Sequence, residues 1–149
     1  MKLTFDIAEL ADVDMILSLM QEFYAHEKLP FNEFKAQDAL TRLIADKTFG
    51  RVWLIKIAEK SIGYVILTFG YSIEFHGRDA FVDEFFIQEG YRGKGIGSKV
   101  IEFVESQCRD FGIHAIHLEV ERKNLKAQNL YRKIGFQDHD RYLMTKWVQ

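Results

Sequence analysis

The spacing of apolar and polar residues predicts a strand followed by two helices in the first third of the chain. Residues 3–7 alternate apolar and polar positions, which is typical of a half-buried strand. After Asp12 the apolar residues recur at spacings of three and four, which predicts a helix. A second helix is predicted after Pro30, with Asn32 as a candidate N-cap and an end before Gly50.

The middle of the chain predicts three antiparallel strands. Apolar, β-branched runs at 51–58 and 62–69 are separated by the polar residues 59–61, which predicts a hairpin. Residues 71–79 are interpreted as a loop, after which a short aromatic strand begins at Phe81. These segments together predict a meander.

The last third predicts a helix, a strand, a second helix and a terminal pair of strands. Residues 98–111 carry one apolar face at helical spacing, and residues 114–120 predict the next strand. This strand and the one from Phe81 enclose a helix, so we expect them to run parallel. The terminal pair includes residues 142–147.

Length and composition favour one domain with a small-molecule partner. At 149 residues we expect a single domain, 1–149, that is long enough to bury a core. Cys108 is the only cysteine and lies on an apolar helical stripe, so we expect a core residue in a reducing, cytoplasmic setting. We expect neither a membrane span nor a secretory signal. A net charge of −2 argues against a nucleic-acid partner.

One loop has the features of a phosphate-binding site. Three alternate glycines, at 93, 95 and 97, follow Arg92 and lead into the predicted helix. The first N–H groups of a helix have no partners inside it and attract anions such as a diphosphate. Glycine has no Cβ to hold the anion away, and it lets successive N–H groups point into one concavity. Lys94 would add charge, although such a loop is equally typical of a plain turn before a helix.

This loop and a second segment downstream resemble the GNAT superfamily of acetyl-CoA-dependent N-acetyltransferases. Arg92, Gly95 and Gly97 fill the acyl-CoA signature of that family, Arg/Gln-x-x-Gly-x-Gly/Ala. The second segment matches the family's spacing at six positions, which are Asn124, Ala127, Leu130, Tyr131, Gly135 and Phe136. The resemblance is strong over residues 81–136 and architectural before them.

The resemblance implies a fold and a co-substrate. The fold would be mixed α/β (α+β), a mostly antiparallel central sheet with a parallel pair splayed at the acyl-CoA site, flanked by about four helices. The co-substrate would be acetyl-CoA, with no metal. The residues implied to bind acetyl-CoA are Phe85, Phe86, Ile87, Arg92, Gly93, Lys94, Gly95, Ile96, Gly97, Ser98, Asn124, Ala127 and Tyr131.

Two neighbouring carboxylates are candidates for the base that acetyl transfer needs. A free alkylammonium has a pKa of about 10.4, so a group must remove its proton at neutral pH. Asp83 and Glu84 precede the glycine loop, and strand alternation would send them to opposite faces of the sheet. Asp83 is favoured because it shares a face with Phe81 and Phe85, and because the matching position in polyamine acetyltransferases is acidic. A β-bulge would instead favour Glu84, and either carboxylate could simply be solvated or paired.

The resemblance also gives roles to three other groups. Tyr131 would protonate the departing thiolate, although its helical spacing also fits core packing. Backbone N–H groups of Phe86 or Ile87 would polarise the thioester carbonyl. Asn124 is a good N-cap for the helix that carries Tyr131, and the matching side chain in the family contacts the pantetheine arm.

The acceptor is predicted only as a class. Residues 82–98 look like the corresponding segment of the spermidine/spermine acetyltransferases, which favours a primary amine, a polyamine or another small amine. His26 and Glu27, together with Asp83, are the candidate acceptor-binding residues. A homodimer is a further expectation, because residues 142–147 could pair across two copies.

Two other functions fit the glycine loop. The first is an acyl-CoA-binding sensor without catalysis. The second is a dinucleotide-binding oxidoreductase domain, with Glu119 near the expected position of a ribose-binding acid. The spacing of the third glycine and the preceding antiparallel meander argue against the second function. No metal site is expected, because His114 and His117 would face opposite sides of a strand.

Overall fold

The computed structural model describes residues 2–149. Within it the chain divides into two compact units, one up to Glu119 and one over Val120–Gln149. We call these the first unit and the second unit. No helix of the described residues is long and apolar enough to cross a bilayer. The cytoplasmic location and the homodimer stay predictions.

The first unit is built on one five-stranded sheet. The strands follow the chain order across the sheet, β1-β2-β3-β4-β5, and their bounds are β1 Leu3–Ile7, β2 Gly50–Ile57, β3 Lys60–Ser72, β4 Gly77–Ile87 and β5 Ala115–His117. The first four strands pair antiparallel, and β4 pairs with β5 in parallel. The predicted mixed sheet with one parallel pair is confirmed.

Four helices accompany the strands. Their bounds are α1 Val13–His26, α2 Glu33–Ala45, α3 Ile96–Asp110 and, in the second unit, α4 Leu125–Lys133. The predicted cap of α2 is confirmed, because the Asn32 side chain accepts a hydrogen bond from the N–H of Lys35 at 3.0 Å. α3 begins two residues before the predicted start.

The hairpin between β2 and β3 differs from its prediction. Ile57 pairs with Lys60, so the turn contains only Ala58 and Glu59 rather than residues 59–61. Both turn residues have positive φ, at 49° and 69°. A left-handed pair matches the twist of the two strands it joins, and the sequence lacks the Asn-Gly signal that usually marks such a turn.

Three further boundaries are corrected. The predicted loop 71–79 shrinks to residues 73–76, because β3 and β4 stay paired as far as Ser72 and Gly77. β5 is shorter than the predicted 114–120. The predicted terminal strands are wrong for residues 118–149, since no strand is found there. Tyr142 and Trp147 are more than four fifths exposed, so no buried face fixes a strand register in this segment.

The sheet separates two apolar cores. The α3-side core contains Trp53, Ile55, Ile62, Val65, Leu67, Ala80, Val82, Ile87, Ile96, Val100, Val104, Cys108 and Ile113. The α1-side core contains Ala8, Val13, Ile16, Leu17, Leu19, Met20, Leu40, Val52, Leu54, Tyr64, Ile66 and Phe86. Residues 64–67 of β3 alternate between these cores, as expected of a strand that is buried on both faces.

Candidate active site

A β-bulge on β4 sets the positions of the two candidate carboxylates. Ile66 pairs with Glu84, whereas the next residue of β3, Leu67, pairs with Val82. Asp83 is therefore the extra residue of the bulge. Val82 packs in the α3-side core, but Glu84 contacts residues of the α1 side. The strict alternation predicted for Asp83 and Glu84 is thus broken.

Glu84 is held by two phenols, and we call Tyr24, Tyr64 and Glu84 the Glu84 cluster. The Tyr64 hydroxyl donates to Glu84 Oε1 at 2.7 Å, and the Tyr24 hydroxyl donates to Oε2 at 2.5 Å. Burial raises the pKa of Glu84, while the two phenol hydrogen bonds oppose that rise. Burial and the neighbouring carboxylate also raise the pKa of each phenol, so both phenols remain donors at neutral pH.

Asp83 has a different environment. Its side chain is exposed and has no hydrogen-bond partner among residues 2–149. Enough protein nevertheless surrounds it that loss of water raises its pKa. The negative charge of Asp83 in turn raises the pKa of Glu84. Each carboxyl therefore holds a proton more strongly than it would in water, mainly because of burial.

The glycine loop has the backbone that an anion site requires. Gly93 and Gly95 have φ of 75° and 76°, and a Cβ at either position would meet nothing within 4 Å. Glycine is needed there for its conformation rather than for space. Gly95 is the N-cap of α3, no side chain caps this helix, and Ile96, Gly97 and Ser98 form its first turn. The free N–H groups of this turn fit the phosphates of an acyl-CoA.

Arg92 joins the glycine loop to two other elements. Its Nε donates to the carbonyl of Ile87 at 2.8 Å, and its guanidinium lies 5.5 Å from the centre of the Phe86 ring. Its Nη1 lies 3.2 Å from Nε2 of His26. Arg92 is thus engaged by the end of β4 and by the last residue of α1.

Two of the three residues predicted to bind the acceptor lie at the C-terminal end of α1. His26 is the last residue of the helix and contacts Arg92, while Glu27 is its exposed C-cap. The structure therefore brings His26 to the glycine loop. Lys94 is also at this loop, with its Nζ 5.9 Å from the centre of the Tyr91 ring.

The parallel pairing covers only a short part of β4. Asp79–Phe81 pairs with Ala115–His117, and beyond it residues 82–87 have no strand partner on that edge among the described residues. The predicted splay is confirmed. Phe85 packs against the α3-side core and Phe86 lies in the α1-side core. Backbone groups on the open edge are therefore available to a bound molecule.

Sequence reasoning missed a histidine–carboxylate pair at the base of the splay. Nε2 of His117 lies 3.0 Å from Oδ2 of Asp79, and both side chains are largely buried. The rings of Phe75 and Phe81 lie 4.4 Å and 5.8 Å from the His117 ring.

Among residues 2–149, no group of three His, Cys, Asp or Glu side chains is arranged to hold a metal.

The second unit contains the other predicted segment. The Asn124 side chain accepts a hydrogen bond from the N–H of Ala127 at 3.1 Å, which makes Asn124 the N-cap of α4 as predicted. Tyr131 lies on α4 with its ring edge-on to Phe136, at 5.7 Å between centres. Burial raises the pKa of Tyr131, so its phenol is protonated at neutral pH.

The acetyltransferase (GNAT) family matches residues 14–136, which is most of the chain. The chain belongs to the GNAT acetyltransferase family. This confirms the predicted family. The dinucleotide-binding alternative is wrong, since the GNAT sheet of this chain is antiparallel except for β4 and β5.

Several curated GNAT relatives are N-acetyltransferases. Bovine thialysine N-epsilon-acetyltransferase is 36% identical over 77 residues, which are 52% of this chain and 45% of that enzyme. The Bacillus subtilis spermine/spermidine N(1)-acetyltransferase is 35% identical over 57 residues, 38% of each chain. The chain thus spans less than half of these two enzymes. An uncharacterized B. subtilis N-acetyltransferase, YycN, is 28% identical over 143 residues, 87% of this chain and 89% of that protein.

Solved structures share the GNAT fold of this chain. An integron cassette protein from the mobile metagenome of Cole Harbour Salt Marsh has a TM-score of 0.85 and 32% identity, covering 97% of this chain and 90% of its own. A predicted acetyltransferase from Clostridium acetobutylicum, solved with acetyl-CoA, has a TM-score of 0.81 at 18% identity and covers 97% and 96%. The second likeness supports the fold alone.

Sequence reasoning also missed the two phenols of this GNAT site. Tyr24 belongs to the apolar stripe of α1, and Tyr64 lies within an apolar strand, so both resemble ordinary core residues. The available signal was chemical, because a buried tyrosine hydroxyl requires a hydrogen-bond partner. A buried strand that also contains a glutamate offers such a partner.

Proposed function

We propose that this protein transfers the acetyl group of acetyl-CoA to a primary amine, by direct transfer in a ternary complex. The observation that carries the proposal is the placement of Glu84. This partly buried carboxyl has two phenol donors and lies on the part of β4 that has no partner on its β5 edge. The glycine loop follows within one short turn. A proton acceptor on β4 thus precedes an anion site by about ten residues along the chain.

Residues of the loop and of β4 would hold the co-substrate. Acetyl-CoA supplies a thioester whose carbonyl carbon accepts a nucleophile. The uncapped first turn of α3 and Lys94 carry positive charge for its phosphates. The open edge of β4 offers backbone groups to the pantetheine arm and the carbonyl. We also assign Asn124 and Ala127 to the acetyl-CoA site, because they match the second GNAT segment.

The proton transfers follow from the protonation states of three side chains. Glu84 takes the proton of the amine, directly or through a water, and Asp83 lies close enough to attract the cationic acceptor. The bulge favours Glu84 over Asp83 as the base. The amine nitrogen bonds to the carbonyl carbon, the C–S bond breaks, and Tyr131 gives its proton to the departing thiolate. N–H groups of Phe86 or Ile87 would stabilise the developing oxyanion by about 3 kcal/mol.

A small cationic amine, with polyamines favoured, is the proposed acceptor. Two adjacent carboxyls on β4 provide negative charge beside the site. The relatives named for thialysine and for spermine and spermidine act on amines of this kind by name. Because similarity in the shared segments concerns the common co-substrate, the acceptor must be identified by experiment.

The test is release of free CoA from acetyl-CoA across a panel of polyamines, small amines, amino acids, aminoglycosides and N-terminal peptides. Tyr131→Phe is assayed beside the parent, because it keeps the ring and removes the proton. Tyr142→Phe is the matched control, since Tyr142 is exposed. Acceptor-dependent release that falls in Tyr131→Phe alone supports the proposal. Tight acetyl-CoA binding without acetylation of any amine would favour the sensor alternative.

A further inference from the structure

Two tyrosines that are far apart in the chain converge on the carboxyl of Glu84. Tyr24 comes from α1, 60 residues before Glu84, and Tyr64 comes from β3, 20 residues before it. Each phenol takes a different carboxyl oxygen. Tyr64 is fully buried, whereas Tyr24 is only partly buried near the end of α1. The cluster therefore joins the helix, the sheet and the bulge at one carboxyl.

The direction of the hydrogen bonds has a chemical consequence. An ionised carboxylate can only accept, and it has about four lone-pair sites on its two oxygens. The phenols occupy one site on each oxygen, so one further site on each oxygen remains for a proton or a water. Hydrogen bonds donated to the ionised form favour that form. Burial favours the neutral form, so the phenols counteract the main effect of burying Glu84.

We propose that Tyr24 and Tyr64 are positioning residues that orient the Glu84 carboxylate and keep it ionised, ready to accept the proton of the amine. This inference rests on the proposed function. Three groups face Glu84: Tyr24 from α1, Tyr64 from β3 and Asp83 from β4 itself. The two phenols lower its proton affinity, and Asp83 raises it. The balance among these three groups sets the pH above which Glu84 is ionised and can accept a proton.

The packing of the two rings permits clean substitutions. The Tyr64 ring packs against Phe23 and Phe86, at 6.4 Å and 6.2 Å between centres. The Tyr24 ring packs against Phe23 and Phe31, at 5.6 Å and 5.2 Å. Tyr→Phe keeps these ring contacts and removes only the hydroxyl. The change at Tyr24 is the milder of the two, because water can reach the site that its partly buried hydroxyl leaves.

The first experiment follows the protonation of Glu84 without requiring turnover. Carboxyl-carbon NMR of glutamate-labelled protein is recorded over pH, and Glu84→Gln identifies the Glu84 signal. We expect Tyr24→Phe and Tyr64→Phe each to raise the pKa of Glu84, and Tyr142→Phe to leave it unchanged. A folded Tyr24→Phe variant with an unshifted Glu84 titration would overturn the inference.

The second experiment measures kcat/KM over pH for the acceptor found by the CoA-release panel. A raised pKa of the base moves the acid limb of the profile to higher pH. On that limb kcat/KM should fall about tenfold for each phenol removed, with recovery at higher pH and an unchanged KM for acetyl-CoA. A uniform loss at all pH values would show a merely structural role. If the parent acetylates no amine, the proposed function fails, while the NMR titration still decides whether the phenols control Glu84.

Discussion

The two faces of β4 are built for different purposes. Toward α3 the strand presents the apolar residues Ala80, Val82 and Ile87, which are buried in the α3-side core, and near its start Arg78, which donates to the carbonyl of Phe111. Toward α1 the same strand presents Glu84, which the phenols of the Glu84 cluster satisfy. The bulge at Asp83 makes this change of character within one residue. The residues that stabilise the fold on the α3 side and the residues proposed for catalysis on the α1 side thus lie on opposite faces of the sheet. We expect a substitution on the α3 face to change stability without changing catalysis, and a substitution of Glu84 to do the reverse.

The largest expected effect comes from Glu84→Gln. The amide keeps the shape of the side chain but cannot accept the amine proton, so turnover should fall by about 10²- to 10⁴-fold. The measurement is kcat with saturating acceptor and acetyl-CoA. Full activity of Glu84→Gln would contradict the role of Glu84 as the base. Asp83 would then be the next candidate to test.

Glu84→Gln should also change the pH dependence of the free energy of unfolding in a direction that the raised pKa of Glu84 predicts. Because burial raises the pKa of Glu84 in the folded protein, the folded state binds its proton more strongly than the unfolded state does. The free energy of unfolding should therefore fall as pH rises from the unfolded-state pKa through the folded-state pKa. Glu84→Gln should show a weaker fall, measured by denaturant titrations at several pH values. Asp83, whose pKa is raised in the same direction, contributes to the slope that remains, whereas Asp46 and Asp138, whose pKa values are lowered, contribute with the opposite sign.

On the α3 face of the sheet, Ile62→Ala on β3 is expected to lower stability and to leave turnover unchanged. Ile62 is fully buried in the α3-side core, so its truncation should lower the free energy of unfolding by about 2–5 kcal/mol. Turnover of the folded variant, measured well below its melting temperature, should be unchanged. Ile73→Ala is the control, because Ile73 is 84% exposed. Loss of kcat in folded Ile62→Ala would mean that the faces are not independent.

A smaller effect is expected from Gly95→Ala at the N-cap of α3. Alanine in a left-handed backbone costs about 1–2 kcal/mol, so the loop should favour another conformation and bind acetyl-CoA about tenfold more weakly. Equilibrium binding of acetyl-CoA is the measurement. Gly90→Ala is the matched control, because a Cβ there also meets nothing within 4 Å and its φ is not positive. Equal weakening by both changes would contradict the role given to the backbone of Gly95.

The smallest effect should come from Cys108, the thiol of the α3-side core. Burial raises its pKa to about 11, so little thiolate is present at neutral pH. Labelling by a thiol reagent should be slow in the folded protein and become fast only on unfolding. Cys108→Ala should leave turnover unchanged. Rapid labelling of the native protein would show that this face is less closed than its packing indicates.

The features that sequence predicted well depend on local signals. The helical spacing of apolar residues located all four helices, and the Asn32 and Asn124 side chains cap two of them as expected. The positive φ of Gly93 and Gly95 likewise follows from what glycine alone adopts easily. Each of these signals lies within a few residues of the structure it determines.

The features that sequence missed depend on partners far along the chain. The bulge at Asp83 stayed an open alternative in the sequence analysis, because it is defined only by its register against β3, which the residues of β4 do not encode by themselves. The Tyr24 contact with Glu84 joins positions 60 residues apart. The turn at Ala58 and Glu59 is the local exception, because neither residue is one that usually marks a left-handed turn.

The contact between Arg92 and His26 connects the glycine loop to the last turn of α1. A guanidinium has only donors, so Arg92 Nη1 is the donor and Nε2 of His26 the acceptor in this hydrogen bond. A ligand that draws Arg92 away from this nitrogen alters the last turn of α1, and a ligand that alters this turn changes what Arg92 can offer. Such coupling is reciprocal, so the factor by which one substrate changes the affinity of the other is the same in both directions. One hydrogen bond can therefore couple the affinities of the two substrates without fixing which of them binds first.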